Sequence, residues 1–148
     1  MSLEKWLEYG WVRREPSSAN EIKALEGIVA RSLDDAKVKA ISADLRFVAG
    51  FTAALTAATM ALRASGYRTV TQTGHHLKII ESLEFTINAD PKLIQKLKVF
   101  NNKRNKSIYD VAGSVSDQEL NDMEKLATQL RSQVRSWLMK AHPELLRT

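Results

Sequence analysis

Apolar residues recur at every third or fourth position along most of the chain, which is the spacing of one face of an α-helix. The pattern predicts a first helix from about residue 19 to about residue 41, headed by a capping box of Ser18 with Glu21. A second helix is predicted to start near Ser42, a candidate N-cap, and to stop at Gly66, because glycine favours a helix end.

The same spacing predicts three further helices. A third apolar stripe covers residues 75 to 88. Asp90 caps a fourth helix with Pro91 at its first position, where the missing N–H costs nothing. A fifth helix begins at Ser116, with a second capping box, and continues to about His142. No stretch alternates apolar and polar residues for long enough to predict a strand.

We therefore expect an all-α fold, an antiparallel bundle of about five helices in a single domain covering residues 1–148. The second helix is rich in alanine, so its neighbours can approach closely and we expect it at the centre. Trp6, Tyr9 and Trp11 form a short aromatic N-terminal arm. Since basic residues are not interleaved with these rings, docking of the arm on the bundle is favoured over stacking on nucleic-acid bases.

Composition adds a chemical bias to this fold. The formal charge is +5, from 22 Lys and Arg against 17 Asp and Glu, which favours polyanions as ligands. Cysteine is absent, which excludes disulfides and thiolate metal sites and suits a cytoplasmic location. Arg46 and Arg63 bracket the most apolar segment, so no apolar run is long enough to predict a membrane span.

The excess positive charge is concentrated in the fourth helix. The six cations between Asp90 and Asp110 are Lys92, Lys96, Lys98, Lys103, Arg104 and Lys106. Arg104 lies within the apolar stripe, four residues after Phe100 and four before Ile108. A guanidinium there must be paired, reach water, or face a groove or a second chain, because a lone buried charge is costly. The alternative interpretation is a cation favoured by the dipole near a helix C-terminus.

A second set of polar side chains lies on another face of the same helix. Asn101, Asn105 and Tyr109 are four residues apart and present amide and phenol groups together. The alternative is a plain polar face. On an ideal helix Arg104 and Tyr109 point about 140° apart. Joint action by these two residues therefore requires the helix to unwind between them or two copies of the chain to meet.

The histidine pair after Gly74 does not predict a metal site. His75 and His76 are adjacent and diverge in direction, and the i, i+4 spacing of zinc ligands is absent, so neither a metal nor another cofactor is expected. His75 lies near a helix N-terminus, which disfavours its protonation, and His76 belongs to the packed face. No glycine-rich phosphate loop and no nucleophile elbow occur in the sequence.

Four segments together resemble the HEPN superfamily of small helical proteins, which often act as ribonuclease toxins or as nucleotide-binding modules beside nucleotidyltransferase partners. In chain order they are ARSLDDAKVKAI, DLRFVAGFTAALTAATMALRASGYR, TGHHLKIIESL and FNNKRNKSIYD. The family motif is an arginine, a polar residue, and a histidine after four to six intervening positions. Arg104 and Asn105 match its start, whereas Tyr109 stands where the shortest spacing would place the histidine.

The resemblance implies a metal-independent RNA cutter in nuclease members, with two motif copies meeting across a dimer. Arg104 would bind the phosphate and Asn105 would orient it. Tyr109 is a poor substitute for histidine as base or acid. Its reference pKa of about 10 lies roughly three units above neutrality, so deprotonation costs on the order of 4 kcal/mol. The expected catalytic activity is therefore weak or lost.

We expect a HEPN-like homodimer that binds RNA or a nucleotide, as the helical half of a toxin–antitoxin pair with a nucleotidyltransferase antitoxin. The residues expected to hold the polyanion are Lys103, Arg104, Lys106 and Asn101. Two alternatives stay open. One is an active endoribonuclease that uses Tyr109 or a histidine from elsewhere, such as His75. The other is a structural dimer or partner-docking protein without a ligand, whose binding would not weaken with salt.

Overall fold

A computed structural model describes residues 1–70, 74–109 and 112–147, with the backbone alone for residues 106–109. The elements in chain order are α1 (Leu3–Glu8), β1 (Val12–Arg14), α2 (Ala19–Ala36), α3 (Ala43–Ala64), β2 (Tyr67–Thr69), α4 (His75–Thr86), α5 (Pro91–Tyr109), α6 (Asp117–Ala141) and a 3-10 helix (Pro143–Leu146). The expected all-α bundle is confirmed, and its five predicted helices correspond to α2 through α6.

Helix α3 is the centre of the bundle and packs against α2, α4, α5 and α6. Its small side chains permit the close approach that the alanine content predicted. At Gly50 an added Cβ would lie 3.0 Å from Cγ of Met123 in α6, so a side chain there would require the Met123 side chain to shift. Among the described helices, α3 alone is long and apolar enough to cross a membrane. Because 56% of its apolar window is buried inside the fold, its apolar character is that of a core helix.

The predicted helix starts are confirmed at the caps. Ser42 and Ser116 accept hydrogen bonds from the third residue of their helices, and Asp90 accepts one from the N–H of Lys92 at 2.9 Å. Ser116 also forms the complete capping box with Glu119. At the other end of α6, His142 is the C-cap residue, as expected. The local capping rules therefore locate these ends correctly.

The predicted end of the first helix was wrong. Helix α2 ends at Ala36 rather than near residue 41. The N–H of Lys37 turns onto the carbonyl of Asp34, which tightens the last turn. The Nε of Arg46 donates to the Ala36 carbonyl at 2.7 Å, so a side chain from α3 satisfies one of the free carbonyls at this end. That contact comes from a later helix and has no local sequence signature.

The expectation of no strands was also wrong, although the sheet is small. Strand β1 pairs antiparallel with β2, with Val12 opposite Thr69 and Arg14 opposite Tyr67. Each strand has three residues, too few to show an alternating pattern. The pairing joins the N-terminal arm to the segment that follows α3.

The aromatic arm docks on the bundle, which confirms that prediction. Trp6 is buried and meets Phe85 of α4 edge to face, with ring centroids 5.3 Å apart. Trp11 packs against Trp6, and the ammonium of Lys78 lies 3.7 Å from the Trp11 ring centroid. This cation–π contact and the ring stack fasten the arm to α4. Tyr9 remains exposed.

A buried arginine connects the arm, α2 and α3. Arg63 is 2% exposed and donates to the backbone carbonyls of Glu15 at 2.7 Å and Tyr67 at 3.1 Å. Its guanidinium also donates to both carboxylate oxygens of Glu21, at 2.8 and 3.2 Å. Carbonyl and carboxylate partners from three segments therefore surround this one charge.

The same network corrects the first predicted capping box. Ser18 accepts from the N–H of Glu21 at 3.1 Å, as expected. The Glu21 carboxylate, however, faces Arg63 and Arg68 instead of returning to the cap. An ion pair with a buried guanidinium stabilises the carboxylate more than a single exposed N–H would. One of the two hydrogen bonds of the capping box therefore forms, and the Glu21 carboxylate, which would accept the other, pairs with Arg63 and Arg68 instead.

Candidate functional site

A cleft of about 300 Å³ lies between the start of α4 and the C-terminal half of α5. The residues that line it are Gly74, His75, His76, Leu77, Asn101, Asn102 and Asn105. Helix α4 follows Gly74, which adopts a left-handed conformation with φ of 74° and serves as the N-cap. Glycine has no side chain to accept hydrogen bonds from the first-turn N–H groups, so these donors and the positive end of the helix dipole lie at the cleft.

Asn101, one of the residues that line this cleft, carries a buried polar atom. The residue is 6% exposed, and its Oδ1 is buried without a hydrogen-bond partner among the described residues. Buried polar atoms in proteins are nearly always hydrogen-bonded, and an unsatisfied one costs about 1–3 kcal/mol. Asn105, one turn further along α5, is exposed at the mouth. The sequence pattern of amides on one face of the fourth helix is therefore confirmed for Asn101 and Asn105.

Arg104 is half-buried beside this face and has few partners. Its Nη1 donates to Oδ1 of the neighbouring Asn105 at 3.4 Å, a long hydrogen bond. No carboxylate of the described residues forms an ion pair with it. The guanidinium is thus held by its neighbour but is not neutralised within the described part of the chain.

The pKa of His76, in α4, is affected by a charged residue of α5. Burial lowers the pKa of His76 below its ordinary value, and the positive charges of His75 and Arg104 lower it further. The rings of His75 and His76 meet edge to face at 4.4 Å, and His76 also lies 6.5 Å from the Phe51 ring of α3. The predicted packing of His76 is confirmed. The effect of Arg104 on the pKa of His76 depends on the packing of α4 on α5, which no local sequence pattern predicts.

Two other cations of the basic segment, Lys98 and Lys103, form ion pairs with carboxylates of other helices. Lys103 pairs with Glu119 at 3.2 Å, at the capping box of α6, and Lys98 pairs with Glu81 at 3.6 Å. A backbone hydrogen bond from Ser116, and secondarily Lys103, lower the pKa of Glu119. The sequence predicted that Lys103 and Arg104 hold the polyanion together, whereas in the structure the Lys103 ammonium pairs with Glu119 of α6. Lys106 and Tyr109, also predicted for the site, have side chains outside the described residues.

Helix α5 continues without interruption through Tyr109. The backbone positions 104 and 109 are therefore about 140° apart around the helix axis, without local unwinding between them. Of the two routes to joint action that the sequence left open, only the meeting of two chains is compatible with this helix.

A larger cleft of about 450 Å³ lies between α5 and α6. Its lining includes Lys92, Lys96 and Lys125, but also Asp90 and Asp122. The mixture of signs weakens its attraction for a polyanion. None of the buried atoms that lack partners in the described structure lies in its wall. The smaller cleft is therefore the stronger candidate.

Within the described residues no three His, Asp or Glu side chains converge as a metal site requires. Comparisons of the chain with protein-family models, with curated proteins and with solved structures gave no significant match. The chemistry of the cleft is thus the basis for a functional argument. Its lining combines a helix N-terminus, two imidazoles and a largely buried asparagine, and Arg104 lies next to this lining on α5.

Proposed function

We propose that this protein is a HEPN-like module that binds RNA or a nucleotide at the cleft between α4 and α5, with weak or no catalysis. The observation that supports this most is the state of Arg104, a half-buried guanidinium with one long hydrogen bond and no ion pair to a described carboxylate. A phosphate group would supply the missing partner. Its charge-assisted hydrogen bonds to arginine are among the strongest in proteins.

The surroundings of Arg104 suit the same ligand. The N-terminus of α4 offers backbone N–H donors and a positive dipole, which favour a phosphate. The Asn105 amide orients the guanidinium. A nucleic-acid strand or a nucleotide supplies the phosphate together with a base that can enter the cleft.

Binding is tested by fluorescence anisotropy with a labelled single-stranded RNA of mixed sequence. We expect Arg104→Ala to weaken binding about 10-fold or more, because a hydrogen-bonded charged pair contributes about 1.5–3 kcal/mol. The matched control is Arg31→Ala, which removes the same charge from an exposed position of α2. Added salt should weaken wild-type binding steeply. Equal effects of the two substitutions, or binding that does not depend on salt, would contradict the proposal and favour a partner-docking surface.

A metal-independent endoribonuclease is the second candidate, and one observation favours it. Because the pKa of His76 is lowered, its imidazole is neutral near pH 7 and able to accept a proton from a ribose 2′-hydroxyl. The charge of Arg104, the residue proposed to hold the phosphate, contributes to the lowering of this pKa. The test is incubation with RNA and a chelator, followed by analysis for 2′,3′-cyclic phosphate ends. Fragments made by the wild type but not by His76→Ala or Arg104→Ala would establish the enzyme; intact RNA with retained binding supports the first proposal.

We further propose a homodimer, a cytoplasmic location and a nucleotidyltransferase antitoxin as partner. The continuous α5 helix supports the dimer, because Arg104 and Tyr109 can act on one phosphate only from two chains. Light scattering gives the mass of the purified protein in solution. A monomer at concentrations where RNA still binds would exclude a site shared by two copies.

A further inference from the structure

An apolar cavity lies between α2, α6 and the C-terminal 3-10 helix. Its volume is about 240 Å³, and none of its lining residues belongs to the cleft between α4 and α5. Most of the lining is apolar and consists of Ala19, Ile22, Met60, Leu138, Leu145 and Leu146. Since Ile22, Met60 and Leu138 are buried members of the core, the cavity reaches the hydrophobic interior and suits an apolar group.

The polar residues of the same lining carry an excess of positive charge. They are Lys23, Glu26 and Arg135. The Glu26 carboxylate already accepts hydrogen bonds from Arg131 of α6, at 2.5 and 2.8 Å. Arg135 approaches Glu26 only to 3.9 Å with its side chain 61% exposed, and Lys23 forms no ion pair with a carboxylate of the described residues. Two cations therefore remain available beside an apolar cavity.

We propose that this cavity binds a medium-chain carboxylic acid, whose tail enters between α2 and α6 and whose carboxylate pairs with Lys23 and Arg135. An apolar cavity of about 150 Å³ holds a benzene ring, so this larger one has room for a chain of about six to eight carbons. Lysine and arginine can lay their apolar stems along the chain and keep their charges at its head. A nucleotide would leave the apolar lining unused, and a neutral hydrocarbon would leave the two cations unused.

The C-terminal turn forms one side of the cavity and should respond to its occupant. The 3-10 helix contributes Leu145 and Leu146 and packs on both α2 and α6. Leu145 is partly buried against the core, whereas Leu146 is 42% exposed. A hydrocarbon tail in the cavity would cover part of Leu146 and add apolar contacts to the turn. Binding should therefore slow amide hydrogen exchange in residues 143–146.

The test follows the methionine methyl groups by NMR while the wild-type protein is titrated with octanoate. Met60 lines the cavity, whereas Met123 faces Gly50 elsewhere in the core and serves as the internal control. We expect the Met60 resonance to shift and the Met123 resonance to stay in place. From butanoate through hexanoate to octanoate, each added CH₂ group should tighten binding about 3- to 4-fold, because the cavity buries it. The gain should stop at about eight carbons, when the cavity is full.

The role of the two cations is tested with the double variant Lys23→Gln/Arg135→Gln. It should bind octanoate about 3- to 10-fold more weakly than the wild type, as expected for two exposed ion pairs. The matched control is Arg31→Gln/Lys140→Gln, which removes one exposed cation each from α2 and α6 outside the lining and should keep wild-type affinity. Octylammonium has the same tail and the opposite charge, so it should bind more weakly than octanoate.

Two kinds of result would overturn the proposal. A Met60 resonance that does not move, or an affinity that does not depend on chain length, would show that the cavity takes no hydrocarbon tail. Tighter binding of octylammonium, or equal octanoate affinity in the wild type and the Lys23→Gln/Arg135→Gln variant, would show that the site does not select a carboxylate. The chain-length and charge comparisons use the wild-type protein, so they decide the question even if a variant fails to fold. Neither titration contains RNA, and its result is independent of the proposed function.

Discussion

Two arginines in this bundle illustrate opposite uses of the same side chain. Arg63 is surrounded by carbonyl and carboxylate oxygens from α2, from β2 and from the segment after β1, and its exposed fraction is 2%. Among the described residues, Arg104 has one long hydrogen bond, to its own neighbour. The first guanidinium is satisfied by the fold, whereas the second retains capacity for a ligand. The number and quality of internal partners therefore separate a structural arginine from a candidate binding arginine, although Arg63 borders an apolar segment and Arg104 lies on an apolar helix stripe.

The largest expected difference between them is in stability. Arg63→Ala should lower the free energy of unfolding by about 3–5 kcal/mol, because it leaves several carbonyls without their donor and removes one of the two arginines that pair with Glu21. Arg104→Ala should change it by less than about 1 kcal/mol. Urea unfolding followed by circular dichroism measures both. A comparable loss in the two variants would mean that Arg104 has a structural role after all.

A conservative substitution sharpens the comparison at the binding site. Arg104→Lys keeps the charge but loses the planar fork that contacts two phosphate oxygens, so we expect RNA affinity between that of the wild type and Arg104→Ala. Arg104→Lys should bind several-fold more weakly than the wild type, a loss of about 1 kcal/mol. Anisotropy at fixed salt gives the values. Wild-type affinity in Arg104→Lys would show that only the charge matters and that no bidentate contact is made.

Acid should destabilise the fold by protonating the carboxylates that pair with Arg63 and Arg68. Hydrogen bonds from Arg63 to Glu21, and from Arg68 to Glu15, lower the pKa of these carboxyl groups below the ordinary value of 4.5. The stability that they contribute is fully present above that value and is lost as pH falls through the lowered pKa of the folded state. Melting temperatures between pH 7 and pH 3 should therefore fall less steeply for Arg63→Ala than for the wild type. Parallel curves would show that the network does not govern acid sensitivity.

The smallest effect concerns His76. Burial is the main cause of its lowered pKa, and Arg104 is a lesser one. Arg104→Ala should therefore raise the His76 pKa, while burial still holds it below its ordinary value. NMR titration of the imidazole resonances measures the shift, with Arg31→Ala as the control. An unchanged pKa would mean that the guanidinium does not face this ring in solution.

Local sequence rules predicted the bundle because its helices are specified by apolar spacing and caps. Ser42, Asp90 and Ser116 each act within a few residues, so their roles were readable. The missed features depend on distant segments. The bond from Arg63 to the Glu15 carbonyl joins residues 48 positions apart, and the end of α2 is fixed by Arg46 of the next helix.

The candidate site divides in the same way. Arg104, Asn101 and Asn105 were predicted from their places on one helix. The contribution of α4 was not, because no spacing within the chain shows that the Gly74 cap and the following histidines meet the face of α5 that carries the asparagines. His75 was named only as one possible source of a histidine. The burial of the Asn101 Oδ1 likewise depends on tertiary packing, so the sequence offered an amide but not its unpaired state.

Because the aromatic arm docks on α4, the fluorescence of its two tryptophans can report binding at the cleft. Trp6 meets Phe85 edge to face, and the ammonium of Lys78 lies over Trp11, so two residues of α4 contact the indoles of the arm. Lys78 follows His75 by three residues, within the first turn of the helix that begins at the cleft. A ligand that shifts this turn would change the polarity and charge around the two indoles. Intrinsic emission at long wavelength can then record occupancy of the cleft without any attached dye.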